Sequence, residues 1–114
     1  MPSDSPPLAH ITFVGTIIEW RGPAPFFFIA VPTDLVAAVR HAARLASYGW
    51  GVVPVQAVVN GTAFTTSLFP KDGGYLLPLK VAVRKTAGVA LGDAVTVDIQ
   101  VAATGGFQDW HRGR

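Results

Sequence analysis

Apolar and polar positions alternate with a period of two along most of this chain, and a helical period interrupts them once. From His10 to Trp20 the odd positions carry Ile11, Phe13, Gly15, Ile17 and Glu19, and the even ones Thr12, Val14, Thr16, Ile18 and Trp20. The threonines assign the even set to water and the odd set to the interior, as in a half-buried strand. Arg21-Gly22-Pro23 reads as a turn. Phe26 to Val31 is apolar without a break, which predicts a strand covered on both faces. Pro32-Thr33-Asp34 then opens a helix, with Thr33 as N-cap and Asp34 complementing the positive end of the dipole. Leu35, Val39, Ala42, Ala43 and Ala46 form its apolar stripe, Arg40, His41, Arg44 and Ser47 its wet face, and Gly49 or Gly51 its stop.

Strand patterns occupy the rest. Val52 to Val59 is a valine-rich run in which Pro54 predicts an edge or a bulge. Asn60-Gly61 predicts a type I′ hairpin, and Thr62 to Phe69 its return strand. Residues 70–74 read as a loop. Tyr75, Leu77, Leu79, Val81 and Val83 then alternate with Leu76, Pro78, Lys80, Ala82 and Arg84, which predicts a ten-residue strand with Lys80 and Arg84 turned outward. Gly92-Asp93 makes a turn, its Gly at positive φ and its Asp bonding backbone amides. Val95, Val97, Ile99 and Val101 face inward on the last strand. The expected fold is mainly β: a closed or nearly closed barrel of about six strands with one α-helix inserted after the second, its closure removing exposed edges. A five-stranded open barrel is the rival. Residues 1–9 are a Pro/Ser-rich lead, 10–103 a single domain, and 104–114 a tail without pattern.

Composition narrows the class. A chain of 114 residues, half of them hydrophobic and only 14% charged, builds one core and is not intrinsically disordered. Its net charge of +2 owes two positive charges to Arg112 and Arg114 in the tail, which argues against a nucleic-acid binder. The absence of cysteine excludes disulfides, thiolate metal ligands and thiol nucleophiles, and suits a reducing cytoplasm, the expected location. The N-terminal residues lack the basic and apolar regions of a signal peptide, and no apolar stretch reaches membrane-spanning length.

The segments Phe13-Val14-Gly15-Thr16-Ile17, Phe26 to Pro32, Val59 to Phe64, Ser67 to Pro70, Gly73-Gly74-Tyr75, Leu77-Pro78-Leu79, Val83-Arg84-Lys85 and Gly92 to Val97 occur here in a fixed order. Together they resemble the small bacterial and archaeal domains grouped as domain of unknown function 1905, over residues 10 to 101. The resemblance implies a β-barrel with one helix and no particular activity.

Candidate chemistry is sparse. Arg84-Lys85 forms an anion or phosphate site, with Lys71 or Lys80 nearby, or else Arg84 caps the barrel by bonding loop carbonyls or pairing with Asp93 or Asp98. Glu19, the chain's one glutamate, shares a register with Phe13 and Ile17; it is an acid/base at the barrel mouth, or a strand end paired with Arg21. His10, His41 and His111 lack metal-ligand spacing, so neither a metal nor a cofactor is expected. Trp20, Phe26, Phe27, Phe28, Trp50, Phe64, Phe69 and Tyr75 line an apolar pocket or fill the core; most read as core, with Trp50 and Tyr75, each beside glycines, as the ligand-binding candidates.

Three readings follow. The first is a binding module for a small apolar or anionic ligand, a protein partner or a second copy. The second is a cofactor-independent cyclase- or isomerase-type enzyme using Glu19, and the third a nucleic-acid-binding barrel. An open interior favours a small-molecule reading, a filled one a protein-interaction role, and an apolar patch on the outer wall a dimer.

Overall fold

A computed structural model of the chain describes residues 8–23, 26–46 and 52–101. Among them the strands are β1 (Ala9–Thr16), β2 (Ile18–Trp20), β3 (Phe26–Ala30), β4 (Val53–Val59), β5 (Thr62–Lys71), β6 (Gly74–Leu79) and β7 (Ala94–Val101). Helix α1 (Thr33–Ala46) follows β3, and α2 (Val81–Ala87) follows β6. The strands form one antiparallel sheet in the order β1-β7-β4-β5-β6-β3-β2.

The first and last strands of that order are two arms of one chain segment, separated only by Ile17. The segment expected as a single strand from His10 to Trp20 therefore bends at Ile17. One arm pairs with β7 through Thr16↔Ala94, and the other with β3 through Ile18↔Phe28. Ile17 itself is fully buried and bonds Asp93 O and Gly92 N, which pins the bend. β5 turns the same kind of corner. Its Val53-facing half ends at Leu68, and Phe69 to Lys71 pair with β6. Two strands that switch partners curl the sheet into an open half-barrel, a common way to turn a corner in a β structure. Gly15 lies at the seam, where a β-carbon would come 2.5 Å from Ile29 Cγ2.

The interior is aliphatic. Ile17, Ile29, Val55, Ala57, Leu68, Leu77, Val97 and Ile99 expose no surface. Side chains without water-accessible surface cannot border a water-sized cavity, so the space between them is packed. Val36 and Val39 of α1 join this cluster, and Val83 and Ala87 of α2 pack against it. Arg40 Nη2 donates to Gly73 O at 2.8 Å, tying α1 to the β5–β6 turn.

Four expectations are corrected here. The strand beginning at Tyr75 stops at Leu79, because residues 81–87 coil into α2 and so add a second helix. Gly88 at φ 71° ends α2, donating to Arg84 O and Lys85 O. The loop of residues 70–74 shrinks to Asp72-Gly73, both at positive φ (52° and 82°), the same two-residue turn that Asn60-Gly61 makes. Pro54 pairs with Ser67 in unbroken register between Val53↔Leu68 and Val55↔Thr66, so no bulge forms there.

Candidate functional site

The inward and outward faces of β2, β3 and β6 lead to two different clusters. Inward, Glu19 pairs across the ladder with Phe27, and Phe27 with Leu79. Arg84, on α2, stacks its guanidinium 3.8 Å from the Phe27 ring centre, and its Nε donates to Leu79 O at 3.4 Å. Planar guanidinium on an aromatic face is a favourable arrangement worth about 0.5–1 kcal/mol where partly exposed. Arg84 thus bonds a carbonyl rather than either aspartate. Asp93 Oδ2 instead accepts from Ala90 N at 2.9 Å, and Asp98 Oδ1 lies 2.6 Å from His10 Nε2. Glu19 is 21% exposed, with Arg21 Nε 3.8 Å from its Oε1. Lys85 is exposed on α2. Among the described residues no group of histidines and carboxylates is placed to hold a metal ion.

Outward, the same strands present rings. Phe26 is the hub, its centroid 5.7 Å from Trp20, 5.4 Å from Phe28 and 5.9 Å from Phe69, all at tilted angles of 40–52°. These separations fall in the range of favourable aromatic pairs. The residues lie in register by strand pairing: Trp20 opposite Phe26, Ile18 opposite Phe28, Phe69 opposite Leu76. Together with Lys71 they enclose a groove of about 220 Å³ lined by Trp20, Phe26, Phe28, Phe69, Lys71 and Leu76. Trp20 keeps 45% and Ile18 39% of its surface exposed. Gly22 makes room for the indole, since a β-carbon there would collide with the Trp20 ring.

The residues singled out from sequence divide between these places. Glu19 and Arg84 share one end of the interior through Phe27. Lys71 lies on the other face of the sheet with the rings, and so is not part of an Arg84 site. Tyr75 is buried in the core cluster, where its carbonyl accepts from Val31 N, and does not line the groove. Trp50 lies outside the described residues. Trp20, Phe26, Phe28 and Phe69, read mostly as core, line the outer wall instead. The missed signal is parity. Trp20 already falls in the even, water-facing set of its strand, and once Ile29 faces inward Phe26 and Phe28 must face out as well.

Residues 13–99 match the model of a family described as Domain of unknown function (DUF1905). The chain belongs to that family. The match runs from β1 to β7, so all the described strands and both helices are part of the DUF1905 unit. No curated protein matches the chain. In this DUF1905 chain both clusters fall within the matched segment, because their residues run from Ile18 to Arg84.

Proposed function

We propose that this DUF1905 chain is a binding module whose working surface is the aromatic outer wall, and that it takes an apolar side-chain anchor from a protein segment carrying an acidic residue. The observation behind this reading is the ring-lined groove with Lys71 on its rim. Its size favours an anchor over a metabolite: about 220 Å³ falls below the roughly 300–1,000 Å³ of drug-sized ligand pockets. A pocket of this size suits one or two buried side chains, the usual energetic centre of a protein interface. The lysine ammonium is the one charge among the lining residues; it lies 4.0 Å from Asp72 Oδ2 yet is 52% exposed, which leaves it open to an anionic neighbour of the anchor.

A dye that is both aromatic and anionic tests the surface directly. 1-Anilinonaphthalene-8-sulfonate is expected to bind the native chain at a single class of site. Trp20→Ala and Lys71→Glu should each weaken that binding several-fold while unfolding stays cooperative. Equal binding by all three proteins would overturn the proposal. The acid/base reading of Glu19 has a separate check: Glu19→Gln should leave dye binding unchanged, because Glu19 lies on the opposite face.

A further inference from the structure

The groove has a candidate occupant within the same chain. Beyond Val101 the sequence continues Ala102-Ala103-Thr104-Gly105-Gly106-Phe107-Gln108-Asp109-Trp110, a segment outside the described residues. We infer that Phe107 and Trp110 seat in the aromatic groove of their own chain, with Asp109 facing Lys71, so that the tail acts as an internal competitor for the partner. This inference rests on the reading of the groove as a docking surface.

Reach is the first argument. Val101 pairs with Val55, and Val55 with Thr66, so two strand spacings lead from the end of β7 to β5. Phe69, a wall of the groove, lies three residues further along β5. Two spacings of about 4.8 Å and three rises of about 3.3 Å set these points roughly 14 Å apart. The six residues from Val101 to Phe107 span up to roughly 20 Å, and the nine to Trp110 up to roughly 30 Å. Gly105-Gly106 lets the chain reverse onto the outer wall, since glycine adopts both signs of φ.

Chemistry is the second. The tail carries two large rings on either side of Asp109, with Arg112 and Arg114 following them, and the groove offers rings with Lys71 on its rim, 4.0 Å from Asp72 Oδ2. Tethering adds to the tail's advantage, because a short flexible linker confers an effective concentration in the millimolar range.

Dye titration of the full-length chain separates the possibilities. In Phe107→Ala/Trp110→Ala the dye should bind roughly tenfold more tightly than in the parent, since a competitor that occupies a site most of the time weakens apparent affinity by the unoccupied fraction. A synthetic peptide of residues 104–112, added to that variant, should displace the dye. Asp109→Lys should also raise dye affinity, and Lys71→Glu/Asp109→Lys should return the amide resonances of Trp20 and Phe26 toward their parental positions. Equal dye affinity in parent and tail variant overturns the inference and leaves the docking surface standing; no dye site in any variant removes both. A parent whose groove resonances change with protein concentration, alongside dimer in sedimentation, assigns the groove to a second copy and also overturns it.

Discussion

On β1, β7 and β4 the outward positions carry Thr12, Thr96, Asp98, Gln100 and Gln56, with Val14 and Val58 scattered among them. On β2, β3 and β6 the corresponding positions carry Ile18, Trp20, Phe26, Phe28 and Leu76. Both walls belong to one curled sheet, and behind both lies the same aliphatic packing. Threonine is as good a strand former as phenylalanine, so backbone preference does not explain the difference. Folding does not require it either, because the threonine wall holds its strands without outward rings. Phe28 and Leu76 are buried within this wall, whereas Trp20 and Ile18 keep 45% and 39% of their surface in water, and at about 25 cal/mol per Å² that exposed apolar rim is a poor choice unless something covers it. The contrast therefore separates what makes the barrel from what the barrel presents.

The largest expected effect tests whether the aromatic wall really lies outside the core. Leu77 and Leu76 are neighbours on β6 and point to opposite faces; Leu77 is fully buried within the core cluster, whereas Leu76, 7% exposed, stands outside that cluster and borders the groove. Leu77→Ala should cost about 2–5 kcal/mol in urea unfolding, as for other buried leucines, and Leu76→Ala clearly less. Equal losses would merge the wall with the core and end the comparison. Gly15→Ala comes next, at about 1–3 kcal/mol, because the new methyl would meet Ile29, which is fully buried and has little room to yield. An unchanged urea midpoint would show that the seam between β1 and β3 is slack. Phe26→Ser follows at about 1–2 kcal/mol, from the loss of three tilted ring contacts. Its effect on dye binding should be greater than its effect on stability. The reverse ranking would make the rings structural filler.

Much of this was legible in the residues, and the exceptions have physical causes. The parity of Ile11 to Trp20, the Asn60-Gly61 turn, the Gly92 turn and α1 all follow from local chemistry. The bend at Ile17 does not, because the pattern keeps its period of two across the corner and only the choice of partner strand changes. Residues 81–87 were ambiguous for the opposite reason. Val81, Val83 and the intervening alanine fit a strand, yet Val83 and Ala87 also stand four apart, and Gly88 is a helix stop. The ring cluster was visible as composition but not as a surface. Deciding its side needed the register that sets Trp20 against Phe26 and Phe69 against Leu76.

The smallest expected effect lies on the polar wall. His10 on β1 and Asp98 on β7 meet at 2.6 Å, with 48% and 36% of their side chains exposed. Their positions are diagonal in the ladder, since His10 pairs with Gln100 and Thr12 with Asp98. An ion pair or hydrogen bond this open to water contributes about 0.2–1 kcal/mol, because solvent competes for both groups. His10→Ala should therefore shift stability by less than about 1 kcal/mol and leave dye binding untouched. The double-mutant cycle with Asp98→Ala isolates the pair from whatever each side chain does alone. A coupling well above that range would mean that the polar wall, too, holds a contact stronger than solvent exposure allows. The two walls would then differ in chemistry but not in how much each contributes to the fold.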